Sequence, residues 1–163
     1  MITLLFLLST ALASDVVCTL PWLGDIVTRI APDASVTVLA RANEDPHNLS
    51  PTPALMAKVG RADLFVENGM GLELWSERLI DGAGNPGIRR GQPGYVRASD
   101  GVPRLDVPTE LTRAQGDLHP EGNPHIWLDP LNVAIAGDNI AAGLARIDPA
   151  NAAAYAERAT ELR

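Results

Sequence analysis

The sequence predicts an α/β fold, a parallel sheet with covering helices, and three observations predict it. Short β-branched or apolar runs alternate with segments whose apolar residues recur at helical spacing. Proline stands repeatedly at first-turn positions. The β-α-β-α-β order that results is the one from which parallel sheets are built. With 163 residues, 46% of them hydrophobic and 20% charged, the chain has room for one ordinary globular core.

Asp15 to Thr19 is short and β-branched and gives the first strand. Pro21 to Ile30 carries Leu23, Ile26, Val27 and Ile30 on one helical face behind a first-turn proline. Val36 to Leu39 is the second strand, and a loop holding His47 follows. Ser50 is read as an N-cap with Pro51 behind it, opening a helix faced by Leu55, Met56 and Val59. Asp63 to Glu67 is the third strand, closed by the turn Asn68-Gly69-Met70-Gly71, and Leu72 to Ile80 is a short helix.

From Asp81 to Gly122, glycine and proline interrupt every periodic run, which predicts loop with one strand near Tyr95 to Ala98. Asn123 to Leu128 reads as a further strand and its edge. Asp129-Pro130 and Asp148-Pro149 each start a helix with an acidic cap followed by proline. The last segment, Pro149 to Arg163, is rich in alanine and ends with no stop signal, as a helix cut in mid-pattern would.

A formal charge of -7 and a pI near 4.8, with scattered basic residues, argue against a phosphate-tracking surface and exclude nucleic acid as the expected partner. The apolar run at the N-terminus is too short to cross a bilayer and ends in the small-x-small pattern Ala11-Leu12-Ala13, so residues 1–13 are expected to be a signal peptide, although a basic n-region is missing. Cys18 is the single cysteine. It has no internal disulfide partner, and Asp15-Val16-Val17 ahead of it matches a lipid-attachment box poorly, so it reads as a small apolar strand residue.

The chemistry lies in the three histidines. His47 and His125 each follow a proline, in Asp45-Pro46-His47 and Asn123-Pro124-His125. Proline holds the residue before it extended, so each His is expected where a strand gives way to a loop, and ligands of parallel α/β sheets gather at the carboxyl ends of strands. Neutral imidazole is a common ligand for zinc and neighbouring divalent metals, and two unrelated loop histidines are the plain alternative.

Asp45-Pro46-His47, Pro53, Ala62-Asp63-Leu64, Asn68-Gly69-Met70-Gly71-Leu72-Glu73-Leu74-Trp75 and Asn123-Pro124-His125-Ile126-Trp127-Leu128-Asp129-Pro130 resemble, in order and spacing, the zinc/manganese solute-binding proteins of bacterial ABC importers. Val16-Val17-Cys18-Thr19 and Leu23-Gly24-Asp25-Ile26-Val27 resemble that family's first strand and helix. The resemblance implies two α/β lobes joined by a long helix, with one metal ion held between them by three histidines and a carboxylate. His47 matches the first histidine and His125 the second; the third histidine and the acidic ligand belong to a second lobe, and no residue here matches them. On this reading residues 14–147 are the N-terminal lobe, residues 148–163 begin the connecting helix, and the C-terminal lobe is absent. The implied protein is a periplasmic monomer that binds Zn2+, with Mn2+ as the alternative, and delivers it to a membrane permease.

A His-rich loop ahead of the second ligand, frequent in zinc importers of this kind, is not found: Leu105 to Gly122 holds only His119. That residue reads as a solvated loop histidine and, second, as a possible auxiliary ligand. Asp129 reads as a helix cap before it reads as a partner for a ligand imidazole. Trp22, Trp75 and Trp127 read as packing residues, Gly69-Met70-Gly71 as a tight turn rather than a dinucleotide loop, and the sequon Asn48-Leu49-Ser50 carries no assigned function. Two rivals come from other classes. One is a secreted metallohydrolase with zinc on His119, Glu121 and His125, although a His-Glu-x-x-His motif is absent. The other is a metal-free adhesin or structural lobe.

Overall fold

A computed structural model describes residues 13–109 and 119–163, so the segment expected to be a signal peptide lies outside the described residues except for Ala13. Four strands, β1 (Asp15–Cys18), β2 (Ser35–Val38), β3 (Leu64–Glu67) and β4 (Tyr95–Arg97), form one parallel sheet in the order β2-β1-β3-β4. Val16 pairs with Val36 on one side and Leu64 on the other, and Phe65 pairs with Tyr95. Five α-helices, α1 (Pro21–Ile30), α2 (Pro53–Val59), α3 (Ser76–Ala83), α4 (Pro130–Ile147) and α5 (Ala152–Glu161), cover its two faces.

Strand alternation divides the core in two. Val16, Cys18, Leu64, Val66 and Val96 turn toward α1, α4 and α5, where they meet Leu23, Val27, Ile140, Leu144 and Tyr155. Val17 and Phe65 turn the other way, onto Val59, Leu79, Ile80 and Ile88. Cys18 is fully buried in the first cluster, as its reading as an apolar strand residue requires, and burial pushes its thiol pKa up. On the same face α4 lies tight against β4, because a Cβ at Gly143 would come within 2.2 Å of Val96 Cγ2.

Three local expectations are corrected. The second helix starts at Pro53, with the Thr52 hydroxyl accepting from Leu55 N at 3.3 Å, and not at Ser50-Pro51. Thr52 precedes a proline and is held extended (φ -103°, ψ 156°), so it cannot sit inside a helix begun at Pro51. The third helix begins at Ser76 rather than Leu72 and runs to Ala83, where Gly84 ends it with φ 68°. Residues 72–75 instead form a turn in which Ser76 N donates to Glu73 O. Finally, residues 123–128 form no strand. Pro124 has no N–H to give a ladder, and the amides of Ile126 and Leu128 donate to Pro124 O and His125 O, making a 3-10 turn at Ile126–Leu128.

The strand order turns back between β1 and β3: the chain leaves β1 outward to β2 and returns across it to β3. The crevice at the carboxyl ends of those two strands is where such sheets bind ligands. Thr19 and Asn68, the residues directly after β1 and β3, floor it.

Candidate metal site

All three histidines converge above this crevice. The ring centroids of His47 and His119 are 5.1 Å apart, those of His47 and His125 6.1 Å, and those of His119 and His125 6.5 Å. His47 and His125 reach the cluster by one repeated device. The side-chain oxygen of Asp45 accepts from His47 N (3.0 Å) and faces His47 Nδ1 (2.8 Å), and the oxygen of Asn123 does the same for His125 N (3.1 Å) and Nδ1 (2.8 Å). An Asx residue two positions ahead, with proline between, thus folds the turn and fixes the ring at once.

Each proline carbonyl in these turns is held from the crevice. Trp75 Nε1 donates to Pro46 O at 2.7 Å, and Asn68 Nδ2 donates to Pro124 O at 3.0 Å. Trp75 is therefore core packing, as its residue type suggested, and also an anchor for the His47 loop. Trp127 packs edge-on against His125 with centroids 5.2 Å apart, and against Trp22 at 6.1 Å.

The third imidazole comes from the loop ahead of the 3-10 turn. His119 is half-buried rather than solvated, with Nδ1 at 3.2 Å from Gly71 O and Nε2 at 3.2 Å from His47 Nε2. The three Nδ1 atoms face a carboxylate, an amide oxygen and a backbone carbonyl, all acceptors, an arrangement that suits Nδ1 protonation when an ion takes the place of the proton between the His47 and His119 Nε2 atoms. Two imidazole nitrogens on one tetrahedral ion, with bonds of 2.0–2.1 Å, lie about 3.3 Å apart, close to the separation of the His47 and His119 Nε2 atoms. Among the described residues no group of three or more His, Cys, Asp or Glu side chains is placed to hold a metal ion by itself, and the ring of His125 stands further from the other two than they do from each other.

Burial marks two acids that sequence reasoning missed, Glu73 in the turn below the site and Glu67 at the end of β3. Glu73, 4% exposed, accepts from Thr19 Oγ1 (2.6 Å), Asn68 N (2.7 Å) and Gly69 N (3.0 Å). Loss of water, with the nearby Glu67 carboxylate adding to it, pushes its pKa up to about 7 against the pull of those hydrogen bonds. Glu67, 2% exposed, accepts from Ser76 Oγ at 2.6 Å, from Arg90 Nη2 at 3.3 Å and from the Tyr95 hydroxyl. The signal in the sequence was an acid ending the apolar run Leu64-Phe65-Val66 and another inside Gly71-Leu72-Glu73-Leu74, each too hydrophobic a setting for a solvated charge.

The two carboxylates singled out near His125 in the sequence, Glu121 and Asp129, are engaged elsewhere. Glu121 accepts from Arg97 Nη2 (2.5 Å) and Arg104 Nη2 (3.1 Å), so the carboxylate proposed for a metallohydrolase is bound by two guanidiniums. Asp129 accepts from Leu131 N at 2.9 Å and caps α4, the first of its two readings.

Residues 16–163 match the family ZnuA, described as zinc-uptake complex component A, periplasmic. The chain is 33% identical to the iron-binding protein YfeA of Yersinia pestis over 157 residues, covering 91% of this chain and 46% of that protein. To the manganese-binding lipoprotein MntA of Halalkalibacterium halodurans it is 32% identical over 148 residues, covering 86% of this chain and 44% of that one. Among solved structures, a Mn-bound periplasmic metal binding protein of Candidatus Liberibacter asiaticus is similar with a TM-score of 0.72 at 30% identity, over 91% of this chain and 51% of that chain. A zinc-bound deletion mutant of ZnuA is similar with a TM-score of 0.75 at 28% identity, over 92% and 53%. The chain thus spans about half the length of the relatives it matches.

Proposed function

The chain belongs to the family described as the periplasmic component A of the zinc-uptake complex, and on that premise we propose that it is the metal-capturing part of a bacterial ABC importer. His47 and His125 are the ligands of a divalent transition-metal ion, and His119 is an auxiliary nitrogen donor. The observation that carries this reading is the convergence of three imidazoles whose Nδ1 atoms are all taken by oxygen acceptors. Metal-binding histidines are oriented in this way by their outer partners.

Zinc is the proposed ion, because imidazole nitrogens suit it; manganese is the alternative, and relatives carry names for both manganese and iron. Residues 14–147 form the first lobe of the two-lobed family frame, residues 148–163 begin its connecting helix, and a second lobe supplies the remaining ligands. The protein works as a monomer in the periplasm and hands its ion to a membrane permease. Competition against a fluorescent zinc chelator, repeated with Mn2+, tests the site. His47→Ala and His125→Ala should each weaken zinc binding at least tenfold, and unchanged affinity in both would sink the assignment.

A further inference from the structure

We propose that Glu73, acting through the turn it folds, is a positioning residue for the metal site, with Asn68 as its outer arm. The inference rests on the metal reading given above, and its evidence is a continuous set of hydrogen bonds.

The Glu73 carboxylate binds the amides of Asn68 and Gly69 and so closes the turn after β3 upon itself. That turn is one the chain does not adopt without support. Gly69, Met70 and Gly71 all have positive φ (88°, 55° and 75°), and Met70 bears a side chain that disfavours it. Only glycine fits at position 69 in any case, since a Cβ there would lie 2.5 Å from Arg97 Nε and Ser99 Oγ.

Two arms leave the turn, and each ends at a different histidine. Gly71 O faces His119 Nδ1, and Asn68 Nδ2 holds Pro124 O, the carbonyl directly before His125. His47 is aimed from its own side, its Nδ1 by Asp45 and its loop by Trp75, and meets the arms only where its Nε2 lies 3.2 Å from His119 Nε2. Glu73 is thereby connected through its turn to His119 and to the carbonyl before His125, and reaches His47 only by way of His119. The neighbouring Glu67 does not share this task, its oxygens being engaged by Ser76, Tyr95 and Arg90.

This asymmetry gives the test. In the metal-free 163-residue chain, long-range 1H-15N spectra report the tautomer of each histidine. Wild type should show His125 protonated at Nδ1 and one fixed protonation pattern for the His47–His119 pair, whose Nε2 atoms face each other at 3.2 Å and share one proton. Glu73→Gln turns an amide NH2 toward one of the backbone N–H groups and should drive His119 into a mixture of tautomers, while His47 changes only at Nε2, the nitrogen that faces His119, and keeps its Nδ1 signal. Asn68→Ala, which leaves Glu73 in place, should move the His125 signals and again leave His47 alone; it decides the matter if the glutamine variant does not fold. Zinc titration by chelator competition should show about tenfold weaker binding in each variant, the scale typical of outer-partner changes. Unchanged His119 and His125 tautomers together with zinc affinity within twofold of wild type would overturn the proposal, as would equal perturbation of all three rings, which marks general loosening. If the wild-type chain and His47→Ala fail alike to compete for zinc, the metal reading falls, and the tautomers alone still judge the Glu73 device.

Discussion

Single residues at this site act mostly through a second contact that their type alone does not announce. Asp45 and Asn123 differ in charge, yet each closes the same Asx-Pro-His turn and faces the same ring nitrogen, so the repeated motif is a way of aiming an imidazole. The Asp45 carboxyl is held below its ordinary pKa by the backbone amide of His47, and by the His47 ring and Asn48 with it. Glu73 moves the other way, up to about 7 from 4.5, because it has lost its water. The folded state therefore holds a proton here that the unfolded chain releases, and this group's contribution to stability falls as pH rises from about 4.5 through 7. Urea unfolding at intervals between pH 4.5 and 8 should show wild type losing stability relative to Glu73→Gln across that window, by on the order of 3 kcal/mol if the shift is fully expressed. Parallel pH profiles for the two proteins would show that Glu73 titrates normally.

At the level of elements, start signals were legible at Pro21 and Pro130, ambiguous where two prolines competed, and early by one 3-10 turn at Pro149, since α5 begins at Ala152. Pro21 and Pro130 open α1 and α4 as expected, and Asp129 caps the latter. In Ser50-Pro51-Thr52-Pro53 either proline satisfies the first-turn rule, and the restriction that Pro53 imposes on Thr52 decides between them. Thr52→Ala should cost about 1 kcal/mol in chemical denaturation, the usual worth of an N-cap, while Ser50→Ala should be nearly neutral. Equal losses would return the cap to Ser50. The run from Asn123 to Leu128 misled for a related reason. Its apolar content suits a strand, but Ile126 is buried and Leu128 is 78% exposed with their amides turned back on the chain, a pattern that hydrophobicity does not separate from an edge strand.

For the whole molecule, the segment after Ile147 belongs to the same core as the sheet. Tyr155 and Ala159 of α5 are buried against α1 and α4, Arg158 Nη1 donates to Ile30 O at 2.9 Å, and the Tyr155 hydroxyl donates to Asp148 at 2.6 Å. Tyr155→Ala should thus destabilise the chain by about 3 kcal/mol, as loss of a buried aromatic does; a change under 1 kcal/mol would mean that α5 only rests on the surface. The amino-acid sequence by itself determined the α/β class, the alternation of strands and helices, the two Pro-His turns and the family, because periodicity, capping and turn chemistry act over a few neighbouring residues. The tertiary structure alone decided that His119 joins His47, that Trp75 and Asn68 hold the proline carbonyls, and that Glu67 and Glu73 are buried. Those contacts join residues 29 to 72 positions apart in the chain, or depend on burial. They are set by a strand order that turns back between β1 and β3, which no local pattern records.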